Sequence, residues 1–182
     1  MQICVYGASS QNISCRYMEA AQALGEEMAR RGHDLIFGGG DKGLMGAAAR
    51  GVKKGGGRIT GIAPTFFDQP GILYPACDEF IFTRTMRERK QLMEDRADAF
   101  IMLPGGIGTL EEFFEIITLR QLAQHAKPVA VLNTAGYYDE LEALIKKAFR
   151  EGFMREGSEN LYHTFAGVSE LLDFLESARP GL

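Results

Sequence analysis

Cysteine is scarce in this 182-residue chain, charge of one sign is lacking, and no apolar run approaches the length that crosses a bilayer. Cys4, Cys15 and Cys77 are odd in number and widely spaced, which argues against a disulfide framework and against zinc-type ligand spacing. Cys4 lies within an apolar strand and reads as core. His33, His125 and His163 are equally isolated and read as solvated or capping side chains, so no metal and no cofactor is expected. Lys and Arg number 20 against 24 Asp and Glu, a net charge of −4 that offers no electrostatic reason for binding nucleic acid or membrane. The start, Met1 to Gly7, has neither the basic residues nor the long apolar stretch of a signal peptide, and the cytoplasm is the expected location. Length and a 46% hydrophobic content fit one domain over residues 1–182 with a full core.

Short apolar runs alternate with helical patterns along almost the whole chain. Ile3–Tyr6, Asp34–Phe37, Arg58–Ile62, Glu79–Phe82, Ala99–Leu103 and Val129–Leu132 predict six strands. Apolar residues at helical spacing predict helices from about Tyr17 to Arg30, Leu44 to Lys54 and Met86 to Arg96. Three more are expected over Phe113–Leu119, Tyr138–Arg150 and Val168–Glu176. Pro64 to Cys77 carries three prolines and reads as loop around a short helix. Such alternation predicts a doubly wound, Rossmann-like α/β fold, a parallel sheet flanked by helices.

Pro104-Gly105-Gly106-Ile107-Gly108-Thr109-Leu110-Glu111-Glu112 stands between the buried run Ala99–Leu103 and a helix. A glycine-rich turn there lets backbone amides approach an anion, and the helix start adds partial positive charge. Glu112, expected in the first helical turn, puts a carboxylate beside whatever the turn holds, which suggests chemistry on a phosphorylated sugar or nucleotide. Thr109-x-x-Glu112 is equally a capping box, in which both side chains serve the helix end. Gly7–Ser10 and Gly38–Gly40 also follow predicted strands. In a parallel sheet all three turns open on one edge, where ligands collect. Ser9, Ser10, Gly39 and Gly40 are therefore expected to line a nucleotide. Gly38-x-Gly40-x-x-Gly43 fits a dinucleotide fingerprint, but residues 58–64 lack its acidic partner, which argues against NAD.

Arg84, Arg87, Arg89, Lys90 and Arg96 crowd into one segment of an otherwise acidic chain. Some must belong to a solvated face balanced by Glu88, Glu94 and Asp95. Arg89 shares a helix face with Met86 and Met93, so it is expected to point inward as a planar clamp near the phosphate turn.

With Pro104-Gly105-Gly106-x-Gly108-Thr109-x-x-Glu112 and Met86-x-x-Arg89-Lys90 in hand, the chain resembles the Lonely Guy (LOG) phosphoribohydrolases. These release cytokinin bases from their riboside monophosphates. Gly38–Gly46, Ala97–Ile101 and Asn133-x-x-Gly136-Tyr137-Tyr138 also look like family segments, and the likeness covers about Ile3 to Phe153. The resemblance implies a homodimeric nucleotide-binding hydrolase in which Arg89 and Glu112 are catalytic. Gly105, Gly106, Ile107, Gly108 and Thr109 would bind the 5'-phosphate, with Met86 and Lys90 among the substrate-binding residues. The implied reaction cuts the N-glycosidic bond of a nucleoside 5'-monophosphate, giving free base and ribose 5-phosphate. A non-hydrolytic nucleotide or molybdenum-cofactor carrier of the same fold is the alternative, and an enzyme for plain AMP would differ only in its base pocket. Family members usually carry histidine at the place of Arg87, tyrosine or a small residue at Ile107, and tryptophan at Leu119. Many relatives are labelled "possible lysine decarboxylase", yet no lysine here sits in a recognisable pyridoxal setting.

Overall fold

The computed structural model describes residues 1–178, and the last four residues of the expected 1–182 domain lie outside the described residues. Seven strands form one parallel sheet: β1 (Gln2–Tyr6), β2 (Asp34–Phe37), β3 (Ile59–Pro64), β4 (Glu79–Thr83), β5 (Ala99–Met102), β6 (Val129–Leu132) and β7 (His163–Phe165). Their order is β4-β3-β2-β1-β5-β6-β7. Six of them match the expected runs. β7 has no apolar run to announce it and pairs at the sheet edge, Val131 opposite Thr164.

Six α-helices connect the strands: α1 (Cys15–Arg30), α2 (Gly43–Lys54), α3 (Met86–Arg96), α4 (Ile107–Gln121), α5 (Asp139–Arg150) and α6 (Val168–Ser177). The inner strands β1, β2, β3, β5 and β6 are largely apolar because both sheet faces are covered there. Along β1, Ile3 and Val5 join one core with α1, α2 and α6, while Cys4 and Tyr6 join the other with α3 and α4. β5 splits in the same way, Ala99 and Ile101 against Phe100 and Met102. Burial pushes the Cys4 thiol up to about 12, as befits a core residue.

His33 departs from expectation. It is neither solvated nor a simple cap but buried, with Nε2 2.7 Å from Glu176 of α6 and Nδ1 3.4 Å from the N-terminal amine. His125 is half-buried against the Ile116 carbonyl at 3.0 Å, and His163 is exposed at the sheet edge. No helix among the described residues is long and apolar enough to cross a membrane.

From β1 the chain winds outward through β2, β3 and β4, then returns to pair β5 on the other side of β1. The loops after β1 and β5 therefore diverge at the switch point, the place where open parallel sheets leave a crevice.

Candidate active site

Four loop contacts frame that crevice. Ala8 N–H donates to Pro104 O at 3.1 Å, joining the turns after β1 and β5. Leu44 N–H donates to Ala8 O at 2.8 Å, which docks the start of α2 on the β1 turn. The segment between β3 and β4 folds back over the edge: Asp41 N–H donates to Ile72 O at 3.0 Å, and Tyr74 N–H donates to Gly39 O at 2.8 Å. Between these loops lies a cavity of about 670 Å³, within the usual range for small-molecule sites.

The start of α4 forms one wall. Gly106 is the N-cap, and the first bond back along the helix runs from Leu110 N–H to Gly106 O at 3.0 Å. The amides of Ile107, Gly108 and Thr109 thus have no intrahelical acceptor, and all three residues line the cavity. Free amides at a helix start, with its partial positive charge, suit an anion such as a phosphate. The expected capping box does not form. The helix begins at Ile107, so Thr109 is buried as its third residue and Glu112 is its sixth, in the second turn rather than the first.

That extra turn aims Glu112 at Arg89. Arg89 Nη2 donates to Glu112 Oε1 at 2.6 Å, with side-chain exposures of only 10% and 11%. Arg89 points inward with Met93, as the shared helix face predicts. The guanidinium is laid over Gly38, where an added Cβ would come within 2.5 Å of Nη2. Nη1 rests against Met86 Sδ at 3.8 Å, and Nε is buried with no partner. Burial raises the Glu112 carboxyl above its ordinary value, and Arg89 offsets this only in part. Desolvation therefore outweighs the ion pair in setting the direction of the shift. A buried, raised carboxylate at a cavity wall suits a group that takes up a proton.

The structure brings most of the sequence-predicted residues together. Ser9, Ser10, Gly40, Met86, Arg89, Gly106, Ile107, Gly108, Thr109 and Glu112 all line the cavity. Three stand behind it. Gly39 backs onto the Phe80 ring, and Gly105 abuts Thr109 and accepts a bond from Tyr137 Oη at 2.9 Å. Lys90 is held between Glu111 at 2.6 Å and Glu115 at 2.7 Å on the α3–α4 flank, outside the cavity wall. Burial works against its charged form, but those two carboxylates outweigh it and raise its pKa. Arg87 is exposed and away from the cavity.

Sequence reasoning missed Lys42, Met45, Phe67, Ile72 and Leu73, which also line the cavity. The apolar members come mainly from the proline-rich segment read as loop. Its only signal was Phe66-Phe67 and Ile72-Leu73 in an otherwise polar stretch.

A family profile described as "Possible lysine decarboxylase" matches residues 45–175. The "Probable cytokinin riboside 5'-monophosphate phosphoribohydrolase LOGL5" of Oryza sativa subsp. japonica is 41% identical over 98% of this chain and 73% of its own. The "Cytokinin riboside 5'-monophosphate phosphoribohydrolase LOG2" of Arabidopsis thaliana is 40% identical over 98% of this chain and 84% of its own. Among solved structures, the molybdenum cofactor binding protein of Rippkaea orientalis superposes with a TM-score of 0.74 at 25% identity, over 97% of this chain and 95% of that one. The molybdenum cofactor carrier protein of Chlamydomonas reinhardtii gives 0.71 at 24% identity, over 97% and 96%, a likeness of fold alone. With near-complete coverage at this identity, the chain belongs to the LOG family.

Proposed function

We propose that this chain hydrolyses the N-glycosidic bond of cytokinin riboside 5'-monophosphates to free base and ribose 5-phosphate, as its curated relatives are named for doing. The observation that carries this reading is the buried Arg89–Glu112 pair lining the same cavity as three free helix-start amides. The amides of Ile107, Gly108 and Thr109 hold the 5'-phosphate and anchor the ribose by its remote end. The C1'–N bond breaks with its electron pair leaving on the base, and the ribosyl cation that develops is stabilised by the Glu112 carboxylate. Glu112 then takes a proton from the water whose hydroxyl joins C1', and passing that proton on lets the base leave in its neutral, protonated form. Arg89 touches Glu112 directly and fixes its orientation. Met45, Phe67, Ile72 and Leu73 form an apolar wall suited to a base carrying an alkyl substituent. The chain acts as one domain, in the cytoplasm, and as a homodimer. The exposed apolar stripe of α4 supports that last point, and separate cysteines fit a reducing compartment.

Incubation of the purified protein with AMP and with isopentenyl-AMP, without added metal, tests the reading by chromatography of released base. Base release that requires the 5'-phosphate is expected, faster from isopentenyl-AMP. Glu112→Gln is expected to lower turnover by about 10²–10⁴-fold while nucleotide affinity is largely kept. Equal turnover in that variant removes the carboxylate role. Tight nucleotide binding with no base released by the wild-type protein favours a carrier, the kind of protein whose fold it shares.

A further inference from the structure

Four ionisable side chains reach the cavity wall: Lys42, Arg89, Glu111 and Glu112. Three are already matched, Arg89 with Glu112 at 2.6 Å and Glu111 with Lys90 at 2.6 Å. Lys42 has no carboxylate within ion-pair distance among the described residues, because its neighbour Asp41 is engaged by Arg50 at 3.2 Å. Lys42, an exposed residue that lines the cavity, thus brings one uncompensated positive charge to its wall, and it lies outside the two motifs that mark the site.

The backbone around Lys42 is fixed on both sides. Lys42 is the N-cap of α2 in an extended conformation, φ −97 and ψ 165, so its side chain leaves the helix rather than packing along it. Gly43 follows at φ +62, and a Cβ there would collide with Ala8 O and the backbone of Ser9 and Ser10. Only glycine allows α2 to begin so close to that turn. Leu44 N–H to Ala8 O at 2.8 Å and Asp41 N–H to Ile72 O at 3.0 Å complete the clamp. The Ala8–Ser10 turn is itself tied to the α4 cradle through Ala8 N–H to Pro104 O at 3.1 Å. Lys42 therefore stands on the loop that abuts the phosphate end of the cavity.

We propose that Lys42 is a further substrate-binding residue whose ammonium pairs with the phosphate of the nucleoside monophosphate and of the ribose 5-phosphate product. This rests on the phosphoribohydrolase reading. Amides at a helix start orient a phosphate but supply only partial charge, whereas a dianion is best met by a full positive charge. Arg89 is committed to Glu112 and Lys90 to Glu111 and Glu115, which leaves Lys42 to supply it. A lysine suits the task because its flexible stem carries a compact point charge that follows the phosphate from substrate to product.

Isothermal titration with ribose 5-phosphate, AMP and adenosine tests this on wild-type protein, Lys42→Met and Lys42→Arg. Lys42→Met is expected to weaken ribose 5-phosphate and AMP by about tenfold and to leave adenosine unchanged. Lys42→Arg is expected to restore most of that loss, and added salt to narrow the gap between wild type and Lys42→Met. Wild-type affinity of Lys42→Met for ribose 5-phosphate overturns the proposal. So does a loss that extends equally to adenosine, the mark of a structural role. A wild-type protein that binds neither ribose 5-phosphate nor AMP overturns the phosphoribohydrolase reading itself, a result distinct from normal binding in both proteins.

Discussion

Gly38 and Glu112 each do something a single substitution can expose. The Arg89 guanidinium lies on the bare α-carbon of Gly38, and an added methyl would meet Nη2 at 2.5 Å. Arg89 has little room to retreat, being buried and bonded to Glu112 at 2.6 Å. Gly38→Ala is expected to lower kcat/KM at least tenfold while the protein stays folded, which steady-state kinetics alongside a melting curve would read. Wild-type kcat/KM in a folded Gly38→Ala protein would separate the ion pair from catalysis. In the proposed role of base Glu112 must be ionised, and burial raises its pKa. Acid protonates it, so kcat/KM should climb as pH rises through that raised pKa, with a midpoint above the ordinary glutamate value of about 4.5. A limb at or below that value would show that another group governs the profile. Arg89 was legible in the sequence because Met86, Arg89 and Met93 share one helix face. Lys42 was not, because a lysine before a helix reads as a solvated side chain, and only the folded loops bring it to the cavity.

Among the elements, regular ones were legible and irregular ones were not. Apolar runs announced β1 to β6, most clearly in the inner strands, which are covered on both faces and so largely apolar. β7 is three residues, His163-Thr164-Phe165, held by backbone pairing with β6, and it carries no comparable pattern. The start of α4 misled in an instructive way. Thr109-x-x-Glu112 has capping-box spacing, but Gly106 caps the helix three residues earlier, and the glutamate is freed to meet Arg89. The segment between β3 and β4 read as loop around a short helix, which Thr65–Phe67 supplies, and its antiparallel bridge from Leu73 to Gly40 sets an apolar wall over the cavity. If that wall meets the base substituent, Leu73→Ala should reduce the preference for isopentenyl-AMP over AMP by about tenfold. The ratio of the two kcat/KM values measures this, and an unchanged ratio would place the substituent elsewhere.

At the scale of the whole molecule, α4 carries an apolar surface that the described residues leave uncovered. Ile107, Glu111, Phe114, Thr118 and Leu122 recur along one side of α4 and all are exposed, Ile107 by 88% and Leu122 by 58%. Their spacing follows the helical repeat, so the apolar members form a stripe rather than scattered contacts. Phe82 and Met86, also exposed, lead into the adjacent α3. Large apolar side chains gathered on one helix face and left open to water suit a contact surface. A second copy of the chain laid against it would bury the stripe by two-fold symmetry. Because the stripe begins at Ile107, itself part of the cavity wall, such a contact would close over the phosphate cradle as well. Assembly and activity should then fail together. Light scattering is expected to give twice the chain mass of 20.1 kDa for the wild-type protein. Phe114→Glu, on α4 but outside the cavity lining, is expected to yield monomers and to weaken ribose 5-phosphate binding, while the melting transition remains cooperative. A monomeric Phe114→Glu protein with unchanged affinity would uncouple the stripe from the site, and a wild-type monomer would leave the stripe without the partner assigned to it.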